Sequence, residues 1–520
     1  MLTQGIFDSF LRIAAPGCEV VSAHINGALL CLLIVVISLY LVTRHRSTKK
    51  KLPYPPGPWG FPVVGHLPLL GRNPLETLKK YRAQYGDIFS IQMGSYPAVV
   101  LNGIDVIKSA LTVRPDDIAG RPKLYTANLR SELRGTNGLA FSTYDRAWKV
   151  HHRIANSALR MFAGYRNNPV EETILEESGR LVDYLLKQNG RPFDPREETA
   201  LCAGSVIYQI LFGRHSNIRE DRNYCRMVKS LKDFVEFANA GNPIDVMPWT
   251  RYIFPGRLRR FVEITEVGLD VYKQQMKRHA ETFDPADMRD VTDALIHASE
   301  KITEEEINLG LTRARLNAVI SEMLGAGSET VGTTLLWSFV RMATSPEAQA
   351  KVHAEIDGHL GSSRNATFED RRSMPYVEAT ILEVLRLGTI TPLGIPHTNI
   401  RDVEVNGYRI PKNTFILINL ASTCNDPLVW EDPTAFKPER FLKDGCVDTS
   451  KADMLLSFGA GRRRCLGEFL AKVELFVFFT SIMQRCSFAK APGEVYTFDA
   501  TFGLTMKPKP YRIIVNSRPS

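Results

Sequence analysis

Hydrophobic and polar positions change rhythm several times along this chain. From about Ile25 to Thr43 the stretch INGALLCLLIVVISLYLVT carries no charge. At about 1.5 Å per residue its roughly 19 residues reach about 28 Å, close to the thickness of a bilayer's hydrocarbon. The prolines of LPYPPGPWGFPVVG (Pro53, Pro55, Pro56, Pro58, Pro62) follow, a density that forbids helix and favours a stiff, extended spacer. LETLKKYRAQYG then repeats like an amphipathic helix, and DIFSIQMGSYPAVVLNG alternates like two strands about a Gly-Ser-Tyr-Pro turn. Helical periodicity dominates from about Asp105 to Arg386. Beyond Pro392 come short strands and proline-bounded loops, then a last helix from about Gly467 to Arg485. The pattern predicts a mostly α fold with a small β component and no internal repeat. Its divisions are 1–24 ahead of the apolar run, 25–43 as a transmembrane anchor, 44–63 as a basic and Pro-rich linker, and 64–520 as one large domain.

The longest helix is predicted to start at Thr303, where Thr303 and Glu306 fit a capping box and Glu304 and Glu305 suit the positive helix end. It is expected to run to about Met342. A helix of that length must cross the whole domain, and its middle is a natural wall for a buried site.

Charge orients the anchor. Arg44, Arg46, Lys49, Lys50 and Lys51 follow the apolar run, whereas Arg12 alone precedes it. This asymmetry places residues 1–24 in the lumen and the body of the chain in the cytosol. A cleaved signal peptide is the competing reading, but no small-x-small site follows and the basic residues stand on the wrong side of the run. The net charge of +9 has no basic tail or aromatic interleaving. It argues against nucleic acid and leaves a membrane surface or an acidic protein as partner. The eight cysteines are dispersed without a C-x-x-C pair, which suggests neither a disulfide framework nor a zinc site.

One cysteine has unusual neighbours. In Phe458-Gly459-Ala460-Gly461-Arg462-Arg463-Arg464-Cys465-Leu466-Gly467 the glycines clear side chains from the backbone, so that a flat group can approach. Three arginines precede the sulfur and a helix starts just after it, both of which favour the metal-binding thiolate. A thiolate pushes electron density onto iron and promotes O–O cleavage. The string resembles the haem loop Phe-x-x-Gly-x-Arg-x-Cys-x-Gly of cytochromes P450. Glu383-x-x-Arg386 and Pro438-Glu439-Arg440-Phe441 stand upstream in that family's order, and the resemblance covers nearly the whole chain after the anchor.

The resemblance implies the cytochrome P450 fold, haem b held by Cys465, and a monooxygenase reaction. It makes Arg463 a propionate ligand, counts Phe458 among the haem contacts, and makes Glu383, Arg386 and Arg440 a structural ionic cluster. Gly325-Ala326-Gly327-Ser328-Glu329-Thr330 resembles the oxygen-activating helix, where the glycines leave space for O2. Thr330 would hydrogen-bond the dioxygen and Glu329 would relay protons; close helix packing is the rival explanation for two glycines in three residues. Trp148-Lys149-Val150-His151-His152-Arg153 resembles the family's propionate-binding helix but carries His152 where arginine is usual, so either His152 or Arg153 takes that contact. His397 resembles a propionate-binding strand histidine.

Gly120-Arg121-Pro122-Lys123-Leu124-Tyr125, Gly241-Asn242-Pro243 and Gly503-Leu504-Thr505-Met506-Lys507 are similar to the animal family-1, aryl-hydrocarbon-hydroxylase type. A steroid 17-hydroxylase-like enzyme is the neighbouring alternative. On this resemblance Phe141, Phe234, Ala326, Thr391, Ile395 and Leu504 line a narrow apolar pocket for planar aromatic or steroid substrates, Thr391 being smaller than the family's usual residue. No flavin or dinucleotide fingerprint follows a strand. The resemblance therefore implies electrons from NADPH through NADPH–cytochrome P450 reductase, docked near Arg462 and Arg464, with cytochrome b5 as a second partner and the endoplasmic reticulum membrane as the location. Two readings of other classes stand beside this one. A haem-thiolate isomerase or dehydratase has no need of the Glu329–Thr330 proton relay, and a non-catalytic haem sensor has no need of an oxygen groove.

Overall fold

The computed structural model describes residues 52–71, 73–163, 169–214, 217–237, 242–361 and 364–518. The expected lumenal segment, membrane anchor and basic part of the linker lie outside the described residues. Among the described residues no helix is long and apolar enough to cross a membrane. The proline-rich stretch is laid against the first strand rather than free of the domain. Ser90 donates its backbone N–H to Pro56 O (2.7 Å) and its hydroxyl to Pro55 O (2.9 Å). A Cβ on Gly57 would lie 1.9 Å from the Ser90 carbonyl oxygen, so this approach requires glycine.

The predicted helix and hairpin near the start are α1 (Pro74–Tyr85), β1 (Ile88–Met93) and β2 (Tyr96–Leu101). β1 and β2 pair antiparallel. β2 then pairs parallel with β4 (Phe415–Ile418), whose other edge takes β3 (His397–Thr398) antiparallel. Ala98, Val99, Val100 and Leu101 are all fully buried, so this central strand reads as an apolar run rather than an alternation.

The rest is helical: α2 (Ile104–Thr112), α3 (Tyr125–Arg134), α4 (Arg146–Ala163), α5 (Pro169–Leu186), α6 (Arg196–Phe212), α7 (Arg222–Phe237), α8 (Pro255–Thr282), α9 (Val291–Glu300), α10 (Arg313–Thr344), α11 (Pro346–His359), α12 (Pro375–Gly388) and α13 (Glu468–Arg485). The main core lies where α10 packs on α6 and α13 packs on α5, around side chains such as Phe339, Phe476 and Phe478.

The single long helix expected from Thr303 is broken. Thr303 and Glu306 do form the capping box, but the helix they start ends at Asn308. Gly310 takes φ +85°, and Thr312 caps a new helix by accepting from the N–H of Arg315 at 3.1 Å. The apolar rhythm passes through the break because one glycine in the left-handed region redirects the axis without changing which positions are apolar. What remains, α10, has 32 residues and is about 48 Å long, enough to traverse the domain.

The motif expected to be structural is a dense ionic cluster. Glu383 and Arg386 on α12 are both wholly buried and meet bidentately, Nε to Oε2 at 2.7 Å and Nη2 to Oε1 at 2.8 Å. Arg440 Nε adds 3.0 Å to Glu383 Oε1, and the Lys437 N–H adds 2.9 Å. Arg386 Nη1 donates onward to the carbonyls of Cys424 and Pro433. The cluster ties α12 to the segment that leads into the cysteine loop, with its donors and acceptors satisfied. Glu383→Gln or Arg386→Met strands a partner charge and is expected to cost about 3–5 kcal/mol of stability, measured as a lowered denaturation midpoint of the holoprotein.

Candidate functional site

The cysteine loop is closed by a hydrogen bond from Cys465 N–H to Phe458 O at 2.9 Å, with Gly459 and Gly461 at φ +70° and +69°. The glycines have different causes. A Cβ at Gly461 would stand 2.2 Å from Leu111 O, so packing against α2 requires that one. At Gly459 and Gly467 it would meet nothing within 4 Å, which is the open space beside the backbone that a flat group needs.

Cys465 sits deep in the protein yet keeps uncovered surface. Burial raises its thiol above the usual range, opposed by the Gly467 amide that hydrogen-bonds the sulfur. Arg464 favours the thiolate as expected, although it and the other two arginines also have partners of their own. Arg462 pairs with Asp116 (2.7 Å), Arg464 with Glu468 (2.5 Å), and Arg463 turns to backbone carbonyls. The proton must therefore yield to a metal, as ligand thiols do.

α10 presents the other wall. Ala326 is exposed although Leu324, Ser328 and Val331 are buried, so the helix borders internal space in its middle. The Thr330 hydroxyl donates to Ala326 O at 3.0 Å. Glu329 is held by Lys507 Nζ at 2.7 Å, by the Thr505 hydroxyl at 3.1 Å and by Thr333 at 3.5 Å. Gly327 is explained by the packing reading and not by space for O2, because a Cβ there would lie 2.7 Å from Ile207 of α6. At Gly325 it would make ordinary contact with Leu231, at 3.4 Å.

Along the edge between these walls lies a group of basic side chains, of which Arg463 makes no ion pair among the described residues. Arg463 donates to the carbonyls of Ala119 (2.8 Å), Leu139 (3.2 Å) and Ser142 (2.6 Å), and lies 4.2 Å from the centre of the Trp148 ring. Burial pushes its pKa down to about 10. Trp148 spends its indole N–H on Leu139 O at 2.9 Å and stacks on His152, ring centres 4.9 Å apart. The structure thus separates the two candidates on α4. His152 faces inward, its pKa lowered by burial and by Arg463, whereas Arg153 is 74% exposed and turns to Glu306 at 3.7 Å. His397 donates its Nδ1–H to Ile118 O at 2.7 Å, and burial together with Arg121 holds its pKa well below the usual value.

Phe141, Phe234, Thr391, Ile395 and Leu504 are all partly covered. Leu504 adjoins Thr505, which reaches Glu329; Ile395 and Ala140, next to Phe141, lend carbonyls to Arg121.

Two residues at the site carried no sequence signal of their own. Arg121 donates to the carbonyls of Ala140, Ile395 and Pro396, and both burial and Arg463 depress its pKa. Its only mark was a place in the Gly-Arg-Pro string. Lys507 reaches Glu329 across more than 170 positions of sequence, as its partner Thr505 does.

A haem group fits these residues. A cysteine sulfur and two bare glycines lie on one side, an exposed alanine on the other, and Arg121 with Arg463 offers two buried cations to a doubly carboxylated ring. The Cytochrome P450 family model matches residues 55–515. Cytochrome P450 1A2 of Cavia porcellus is 36% identical over 94% of this chain and 96% of its own length. Cytochrome P450 1A2 of Homo sapiens is 36% identical over 88% and 90%, and Cytochrome P450 1A1 of Macaca mulatta is 34% identical over 94% and 97%. The chain belongs to the cytochrome P450 family. It is a haem-dependent monooxygenase of family-1 type, an oxidoreductase with haem b as its prosthetic group.

The two faces of α4 are separable by experiment. Arg153→Ala is expected to leave haem occupancy of the purified protein unchanged, and His152→Ala to lower it, read as the haem-to-protein absorbance ratio after dialysis.

Proposed function

We propose that this enzyme inserts one atom of O2 into apolar planar aromatic or steroid substrates. The other atom leaves as water, and NADPH supplies two electrons through NADPH–cytochrome P450 reductase. The observation that carries this reading is the pairing, within one protein body, of an uncovered Cys465 with the Glu329–Thr330 acid–alcohol pair.

Cys465 would hold the haem iron through its sulfur. Haem supplies the oxygen-activating iron, and the thiolate makes that iron more electron-rich. In this reading Arg463, Arg121 and His152 receive the propionates, and His397 joins them only as the imidazolium, because its Nδ1–H is spent on Ile118 O. Reducing O2 with insertion of one atom consumes two protons, and Glu329 is where they are managed. Lys507, Thr505 and Thr333 all meet its Oε1, which holds the carboxyl group at the edge of the helix next to Thr330. The Thr330 hydroxyl now bonds Ala326 O within its own helix and needs only a χ1 rotation to present its proton to the cavity. Phe141, Phe234, Ala326, Thr391, Ile395 and Leu504 shape the substrate space.

The reductase docks on the outer side of the cysteine loop. A cleft of about 630 Å³ opens there, lined by Lys108, Arg371, Arg372, Arg464 and Lys472 around Phe458 and Gly459. Among the described residues Lys108 and Arg372 have no acidic partner, while Arg462 and Arg464 do. An acidic partner, reductase or cytochrome b5, would therefore find its free cations at Lys108 and Arg372. The anchor at 25–43 holds the protein on the endoplasmic reticulum membrane with residues 64–520 as the cytosolic catalytic domain.

A steroid 17-hydroxylase-like substrate range remains within the same chemistry. An isomerase would consume no NADPH. With reductase supplied, Thr330→Ala is expected to keep NADPH oxidation while product per NADPH falls several-fold and peroxide rises; unchanged coupling would remove Thr330 from the proton path. Cys465→Ser is expected to abolish the carbon monoxide difference band of sulfur-ligated haem.

A further inference from the structure

The pocket residues inferred by resemblance are apolar, but the structure places a charge among them. Arg130 lies in the middle of α3, and its guanidinium stands 4.9 Å from the centre of the Phe234 ring. Phe234, on α7, also meets Phe261 of α8 in a tilted contact, ring centres 6.2 Å apart. One turn earlier, Leu231 reaches α10 at Gly325, next to the exposed Ala326. Arg130 thus belongs to a roof of α3, α7 and α8 over the part of α10 that borders internal space.

Among the described residues Arg130 makes no ion pair and donates no hydrogen bond, and its guanidinium lies over the Phe234 ring. Burial lowers its pKa, with Glu322 opposing and Arg134 reinforcing that shift. Glu322 is already committed: its Oε2 accepts from the N–H groups of Leu139 (2.7 Å) and Ala140 (2.9 Å), and its Oε1 faces Arg134 at 3.5 Å. A ring face offsets only part of what a guanidinium loses with its water, so an ordinary core does not leave such a group unpaired. Arg130 is nonetheless only partly covered by protein. A half-buried cation over an aromatic ring, with open surface of its own, is free to meet an anion.

Arg130 is also distinct from the propionate group. Arg463 acts on Arg121, whereas the charges acting on Arg130 are Glu322 and Arg134.

We infer that Arg130 is a substrate-recognition residue and that the pocket takes planar aromatic compounds bearing a carboxylate, whose ring stacks toward Phe234 while its oxygens meet the guanidinium fork. The planar fork matches a carboxylate with two parallel N–H donors. This inference rests on the monooxygenase reading and narrows its substrate class.

The test is a titration of the full-length, haem-loaded protein with naphthoic acid and with its neutral isostere naphthamide, at neutral pH, following the change in haem absorption on binding. The acid is expected to bind at least about tenfold more tightly than the amide, about 1.4 kcal/mol. Arg130→Met should erase that preference and leave amide affinity in place, while Arg130→Lys should keep part of it. Equal affinities in the wild type overturn the inference without use of any variant. So does an acid preference that survives Arg130→Met, or a variant that weakens both ligands alike. The carbon monoxide difference spectrum is recorded on the same samples. Its absence in the wild type would count against haem–thiolate ligation itself, and its presence with equal affinities counts against Arg130 alone.

Discussion

Arg463 spreads its donors over three carbonyl oxygens and lays its plane on the Trp148 ring, inside the protein and without a carboxylate. This one side chain stitches the cysteine loop to the segments around Ala119 and Leu139–Ser142, and so sets where the sulfur stands relative to α4. Backbone carbonyls satisfy its hydrogen bonds but not its charge. The remaining need for an anion, shared with Arg121, specifies the ligand as much as the cysteine does.

The same constraint sorts the other buried cations. Arg386 and Arg440 share Glu383, every oxygen and nitrogen is used, and the cluster is a permanent brace. Arg134 shares Glu322. Where the chain provides the acid, the arginine is framework. Arg121, Arg463 and Arg130 form no ion pair among the described residues, which suits them to meet an acid carried by a ligand. Lys507 and Glu329 are a third case, a partly exposed pair beside the cavity, 32% and 16% open. Such a pair can be exchanged for water or a neighbouring hydroxyl at modest cost, which suits a proton-handling group better than a sealed bridge would.

α10 has two jobs on two faces. At Gly327 it is pressed against Ile207 of α6 so closely that no side chain fits, and at Ala326 it faces open space. Fixing one face against the core makes the other a rigid wall, so the positions of Glu329 and Thr330 do not depend on a mobile loop.

Much of this was legible along the chain. The cysteine string, the Glu383–Arg386 spacing, the first helix and hairpin, the capping box at Thr303 and the final helix are local patterns, set by short-range sterics and by residues a few positions apart. Local rhythm could not see that Gly310 reverses the backbone and ends the first helix, because the apolar spacing continues beyond it. Nor could it decide between His152 and Arg153, which differ by about 100° around one helix; only the packing of Trp148 under Arg463 turns His152 inward and leaves Arg153 to Glu306. The arginines before Cys465 looked like a thiolate-stabilising set, and the tertiary structure gives two of them to Asp116 and Glu468. By itself, then, the order of residues determined the class of chemistry and singled out one cysteine loop, since those need particular atoms at particular spacings. Which charges are answered and which are left for a ligand was decided only when Glu322, Lys507, Arg121 and Arg130 came together from distant parts of the chain, because pairing of charges depends on distance in space.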